Sequence, residues 1–271
     1  MICDNCTHNC DLSDSQTGLC HARSCQNGRI VCDNYGAVTS LALDPIEKKP
    51  LAMFHPGTKI LSAGSYGCNM RCPWCQNDSI SRGYVRSDHL EPDELVKIAL
   101  ETRDRGNIGI AYTYNEPSVG YEFVLECAHL AKENDLVNVS VTNGMLAGDR
   151  FGRLCEYIDA YNIDLKTGIK EKYVSIGGDL ELICSNIEKA VDVGCHVELT
   201  TLVVPGFNDD ADDFLRILEI IKSIDPKIPL HITRFFPAGN MRNAMPTKLE
   251  KLYEFRDIAQ RYLDNIFLGN I

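Results

Sequence analysis

From residue 58 onward the chain alternates short apolar runs with stretches of helical period, and this alternation constrains its architecture more than any other feature. The runs read as strands at Lys59–Ala63, Ile108–Thr113, Val137–Thr142, Ala160–Asp164, His196–Val204 and Leu230–Arg234. Helices are expected at 92–105, 118–134, 149–157, 183–193 and 209–223, with a last one at 247–262. Pro92 followed by Asp93 and Glu94 marks one helix start, and Asn208-Asp209-Asp210 before Phe214 marks another. Gly106 and Gly194 stand where a helix should end before the next strand. Repeated units of this kind imply a parallel sheet with right-handed crossovers, hence an α/β fold. Six units are too few for an eight-fold closed barrel, so periodicity leaves an open sheet and an incomplete barrel as alternatives. In either, a ligand belongs at the carboxyl ends of the strands.

The unusual polar residues fall at those ends. The loop Gly67-Cys68-Asn69-Met70-Arg71-Cys72-Pro73-Trp74-Cys75-Gln76-Asn77 follows the first strand, and Thr113-Tyr114-Asn115-Glu116-Pro117 the second. Thr142-Asn143-Gly144 closes the third, Asp164-Leu165-Lys166 the fourth and Val204-Pro205-Gly206-Phe207-Asn208 the fifth, while His231 and Arg234 lie in the sixth. Each has an ordinary explanation taken alone. Asn-Gly and Pro-Gly are common turn dipeptides, Asn-Glu-Pro can begin a helix, Asp164 and Lys166 can form a structural ion pair, and an isolated histidine is more often a satisfied core residue than a ligand. Six such groups at one rim of one sheet point instead to a site.

Cys68, Cys72 and Cys75 define the chemistry expected there. Three thiolates on one short loop can hold three corners of an iron–sulfur cube and leave the fourth iron open to a substrate or cofactor. A zinc ion held by three cysteines and water, or buried thiols without a metal, are the alternatives. A second set lies in residues 1–32, which hold six of the thirteen cysteines and few large apolar side chains. Cys3-x2-Cys6-x3-Cys10-x9-Cys20 supplies four thiolates, and Cys25, Cys32, His8 and His21 lie nearby. A segment this poor in core needs a metal to hold it. Zinc and a second iron–sulfur cluster both fit, although only one C-x2-C knuckle of the kind zinc favours is present. Arg29–Cys32 and Ala37–Leu43 read as a short hairpin around Asn34-Tyr35-Gly36, with Asp44–Pro50 joining it to the rest. The expected division is a cysteine-rich segment at 1–50 and a core domain at 51–271.

A net charge of −11 argues against a nucleic-acid surface, which needs clustered Lys and Arg. No run of about 18 apolar residues is present to span a membrane, and no basic-then-apolar leader opens the chain. Thirteen cysteines without such a leader suggest metal chemistry in a reducing cytoplasm rather than disulfides. Exposed iron–sulfur clusters suffer from oxygen, so an anaerobic setting is expected.

Together, the Gly67–Asn77 loop, Asp44–Pro50 and Tyr112–Pro117 resemble the radical S-adenosylmethionine (SAM) proteins related to pyruvate formate-lyase activating enzyme, and among these the AmmeMemoRadiSam-system branch. Thr142-Asn143-Gly144, Asp164-Leu165-Lys166, the Val204–Asp209 stretch and His231–Pro237 extend the resemblance to about Asn270. It implies a partial (β/α)6 barrel and a [4Fe–4S] cluster on Cys68, Cys72 and Cys75, with SAM chelating the fourth iron. Cofactor contacts are implied for Trp74, Cys75, Gln76, Asn115, Glu116, Asn143, Asp164, Lys166 and His231. Trp74 would face the adenine, Glu116 the methionyl ammonium, Lys166 the SAM carboxylate, Asp164 the ribose or amino groups, and His231 the ribose. Asn115 stands where the family has glycine, and Val141 where activating enzymes carry Asp.

The implied reaction is reductive cleavage of SAM to a 5′-deoxyadenosyl radical that abstracts hydrogen from a protein or small substrate. A reductant such as flavodoxin or ferredoxin would supply the electron. No side chain needs to act as acid or base, because the cofactor carries the reactive centre. The competing expectation is a cysteine-rich iron–sulfur or zinc protein serving as an electron carrier or scaffold, without SAM chemistry.

Overall fold

A computed structural model describes residues 1–271. Six short strands open the chain: β1 (Ile2–Cys3), β2 (Cys10–Asp11), β3 (Arg23–Gln26), β4 (Arg29–Cys32), β5 (Ala37–Val38) and β6 (Ser40–Pro45). There follow β7 (Lys59–Gly64), α1 (Asp78–Ser81), β8 (Asp88–His89), α2 (Pro92–Glu101), β9 (Asn107–Tyr112), α3 (Tyr121–Glu133), β10 (Val137–Thr142), α4 (Asp149–Cys155) and β11 (Ala160–Asp164). The chain continues through α5 (Lys170–Ser175), α6 (Leu180–Asp192), β12 (His196–Val203), α7 (Ala211–Ile224), β13 (Leu230–Arg234), α8 (Leu249–Ala259) and β14 (Ile266–Gly269).

One eight-stranded sheet runs in the order β14-β13-β12-β11-β10-β9-β7-β6. From β7 to β14 its strands are parallel, and β6 pairs antiparallel with β7 at one edge. The two edge strands do not pair, so the curled sheet stays open as an incomplete barrel with helices packed outside. All six strands read from periodicity are present, and β14 adds a seventh parallel strand. Its Ile266-Phe267-Leu268 run is too short to carry a period. The helix signals also operate as expected. Glu91 and Glu94 form a reciprocal capping box at α2, and the Asp210 side chain accepts from Asp213 N at the start of α7. The helical layer packs tightly; Phe214 of α7 and Phe255 of α8 stack with centroids 4.0 Å apart.

Pairing before residue 58 departs from the expectation. β4 pairs with β3, not with residues 37–43. β5 pairs with β8, and β6 joins the main sheet. The Asn34-Tyr35-Gly36 turn therefore leads from one sheet to another, because β6 finds a better-buried partner in β7 than in the half-buried β4. Nor is Asp44–Pro50 a passive connection. Ile46 and Leu51 are fully buried with Ile60, Ala111, Val139 and Ala160, so this segment plugs the end of the barrel away from the strand carboxyl ends. No helix is long and apolar enough to cross a membrane.

Candidate cofactor site

A cavity of about 870 Å3 opens at the carboxyl ends of the parallel strands. Cys68, Cys72 and Cys75 border it, together with Trp74, Gln76, Asn115, Glu116, Asn143, Asp164, Lys166 and His231. The structure thus brings every residue expected around the first metal and SAM to one cavity. Tyr114, Asp44 and Lys49 line it as well.

The cysteine loop is held by its own backbone environment. Arg71 donates to the carbonyls of Cys68 and Met70 at 2.8 and 3.0 Å, and Arg82 to that of Cys72 at 2.9 Å. The Cys68 sulfur receives Met70 N at 3.4 Å and Asn143 Nδ2 at 3.8 Å. Burial pushes the Cys68 and Cys72 thiols up; the Glu116 carboxylate adds to this at Cys68, while the Lys166 ammonium works against it at Cys72. Positive charge from a metal would offset both, since a thiolate is the ligating form. Three cysteines border the cavity and no fourth does, a donor set that suits a cube with one open iron.

Around the thiols, the polar groups divide into those already satisfied and those with capacity left. Glu116 is fully engaged on one side: Oε1 accepts from Thr142 Oγ1 at 2.6 Å and Ser118 N at 3.0 Å, and Oε2 from Asn143 N at 2.7 Å. Burial raises its pKa and these donors pull it back down in part. An ionised carboxylate has about four acceptor positions, so roughly one remains for an ammonium. Asn115 turns its amide into the protein, accepting from Ser65 N and donating to the carbonyls of Tyr66 and Gly67. Its side chain shapes the strand end instead of presenting a polar tip. Asp164 and Lys166 pair at 2.6 Å. Burial opposes the lysine's charge, but the Asp164 carboxylate outweighs it, so the ammonium is strongly favoured. Trp74 is buried against Phe207, with centroids 4.4 Å apart, and keeps one edge on the cavity. Gln76 is exposed at the rim.

Two clusters at the same cavity were not assigned from the residues. Asp44 accepts from Lys49 at 3.0 Å, Lys48 at 3.2 Å and Tyr114 Oη at 2.8 Å. Burial alone would raise its pKa, but these donors hold it well below the usual carboxylate range. His231 gives its Nε2 to Glu198 at 2.6 Å. Glu198, fully buried, also meets His196 Nε2 at 2.8 Å and the backbone N–H groups of Ala52 and Met53 at 2.9 and 2.8 Å. Glu198 carried a signal: an acid inside an apolar strand run, two residues after a histidine and so on the same face of β12.

The Radical SAM superfamily model matches residues 63–219, from the end of β7 through most of α7. An uncharacterized protein of Methanocaldococcus jannaschii is 37% identical over 276 residues, covering 99% of this chain and 81% of that protein. GTP 3′,8-cyclase of Pelotomaculum thermopropionicum is 27% identical over 215 residues, covering 71% of this chain and 64% of the cyclase, so the match spans less than two thirds of that enzyme. Among solved structures, a radical SAM methyltransferase from Sphaerobacter thermophilus superposes with a TM-score of 0.62 at 16% identity, over 80% of this chain and 67% of that one. A domain of pyruvate-formate lyase-activating enzyme from Bacteroides vulgatus gives 0.52 at 16% identity, over 60% of this chain and 99% of that domain. At such identities these structures speak to the fold alone.

The chain belongs to the Radical SAM superfamily. Its members are enzymes that use a [4Fe–4S] cluster and SAM, and they take their electron from an external reductant.

Proposed function

We propose that this chain generates a 5′-deoxyadenosyl radical at the cavity above β7–β13 and uses it to abstract hydrogen from a protein or small substrate. The reading is of an enzyme like the glycyl-radical activases, in the AmmeMemoRadiSam grouping that the motifs resemble. When bound, the cluster and SAM supply one electron, cleavage of the S–C5′ bond and the radical that takes the hydrogen atom.

The chain's own residues bind, orient and exclude water. Cys68, Cys72 and Cys75 would hold three irons. Lys166, charged and fixed by Asp164, would take the SAM carboxylate, and the remaining acceptor position of Glu116 its ammonium. Trp74, packed against Phe207 at the cavity wall, would contact the adenine. His231 is oriented by Glu198 and bound to it through Nε2, so its approach to a ribose would use the other ring nitrogen. At about 870 Å3 the cavity lies near the upper end of the usual 300–1,000 Å3 for small-molecule sites, which leaves room for part of a substrate beside SAM.

One observation carries this reading: three cysteines and no fourth border the cavity where Lys166, Asp164 and Glu116 converge. Anaerobically reconstituted, reduced protein given SAM should release 5′-deoxyadenosine. Release no greater than that of a Cys68→Ala control would refute the proposal. Adding a glycyl-radical partner and seeking a glycyl doublet by electron paramagnetic resonance separates an activase from an enzyme acting on another substrate.

A further inference from the structure

We propose that Cys3, Cys6, Cys10 and Cys20 form a second iron–sulfur site, seated against the back of the Cys68–Cys75 loop, to which the Cys20 carbonyl is hydrogen-bonded. The site itself stands on its own residues; only its relation to a first cluster rests on the reading above.

Six N-terminal cysteines resolve into four and two. Pairing of β1 with β2 sets Cys3 opposite Cys10, so their side chains leave the same face of the ribbon as close neighbours. Cys6 lies in the connection, where Asn9 N donates to its carbonyl at 3.2 Å. Cys20 comes from a turn closed by Gly18 N to Arg23 O at 2.8 Å and His21 N to Gly18 O at 3.0 Å. That turn passes directly over Cys10: a methyl group added at Gly18 would lie 3.7 Å from the Cys10 sulfur. Cys3, Cys6 and Cys20 are buried and Cys10 is half-buried. Of the other two cysteines, Cys25 packs beside Cys3 and Cys10 with Leu12 in one small apolar cluster, and the Cys32 thiol donates to Asn34 Oδ1 at 3.2 Å.

All thirteen cysteines are free thiols, so no disulfide braces this segment. Its interior is thin, with Leu12 the one large aliphatic side chain buried beside Cys3 and Cys25. A metal would add to the ties that dock this segment on the barrel, among them Arg23 with Glu122 at 2.6 Å. Tetrahedral zinc favours two tight C-x2-C knuckles, and Cys3-x2-Cys6 is the only one in this set. A cube sets no such requirement, because each of its irons takes one thiolate.

The location gives the second site its meaning. Cys68 N donates to the Cys20 carbonyl at 3.1 Å, which joins a member of each set through one backbone hydrogen bond. His8 Nε2 meets the Asn69 carbonyl at 2.7 Å, a second tie to the same loop. The Arg71 guanidinium braces that loop by donating to the Cys68 and Met70 carbonyls at 2.8 and 3.0 Å. A one-electron donor of the ferredoxin or flavodoxin class would then have a centre outside the SAM cavity at which to deliver its electron. That delivery changes the site's charge by one and makes or breaks no bond.

The decisive protein is the full chain carrying Cys68→Ser, Cys72→Ser and Cys75→Ser, which leaves the N-terminal set untouched. After anaerobic reconstitution with iron and sulfide it should hold about four iron atoms per chain and give a cluster signal on reduction. Iron near zero, with or without one zinc, overturns the proposal. In the unsubstituted protein, with about eight irons, the fully reduced resonance spectrum should be broadened relative to the sum of the triple variant and its counterpart lacking Cys3, Cys6, Cys10 and Cys20. A spectrum equal to that sum overturns the placement. If the counterpart fails to fold, the triple variant's iron content still decides the site. Should the cavity reading fail instead, the triple variant keeps its four irons and the unsubstituted protein holds no more.

Discussion

His231 and Glu198 share a hydrogen bond of 2.6 Å at the inner wall of the cavity, between adjacent strands β13 and β12. The same carboxylate receives His196 and two backbone N–H groups from the plug at Ala52 and Met53. One fully buried side chain therefore ties the cavity wall to the segment that closes the other end of the barrel.

The link should be visible in acid. Burial works against the Glu198 charge, but its four donors win and lower its pKa to about 2 from an ordinary 4.5. A depressed carboxylate stabilises the fold above its unfolded pKa, and the stabilisation is lost as pH falls through the folded value. Unfolding free energy should thus drop by roughly 3 kcal/mol between about pH 5 and pH 2. Denaturant titrations across that window should show a shallower fall in Glu198→Gln; an unchanged slope would refute the assignment.

Glu116→Gln should cost about 2 kcal/mol of stability, because three donors now aimed at a carboxylate would meet an amide able to accept at only one atom. Urea unfolding measures it. A loss below about half a kcal/mol would mean that the three contacts are not formed together.

Lys166→Met should weaken SAM binding roughly 10- to 100-fold, the worth of one charge-assisted hydrogen bond, while iron content stays the same. Equilibrium dialysis with reconstituted protein reads the first quantity and metal analysis the second. Unaltered affinity would place the SAM carboxylate elsewhere.

Gly67→Ala tests the docking of the N-terminal segment on the cysteine loop. At φ +90° an added methyl would lie 2.7 Å from both Ala22 Cβ and the Cys20 carbonyl. Left-handed strain and overpacking together should cost about 3 kcal/mol. Gly57→Ala, also left-handed but with nothing within 4 Å, should cost only about 1 kcal/mol. Equal losses in the two variants would show that the close approach at Gly67 relaxes freely.

Much of this site could be read in the chain because its groups sit at regular places. Cys68, Glu116, Asn143 and Lys166 each follow a strand marked by an apolar run, and a parallel sheet with right-handed crossovers delivers all strand ends to one rim. What lay hidden were pairings across long stretches of sequence. Nothing local announces that β6 prefers β7 to β4, or that Ala52 and Met53 will donate to Glu198. The Asn115 amide likewise turns inward only because Ser65, Tyr66 and Gly67 offer it partners there.

By itself, then, the sequence determined the kinds of element, their order and the three-thiolate loop, since periodicity and spacing are local properties. Tertiary structure alone decided which edge β6 would take and that Cys20 would lie against Cys68. Those outcomes depend on burial and on satisfying backbone groups between distant segments, terms that exist only once the sheet has formed.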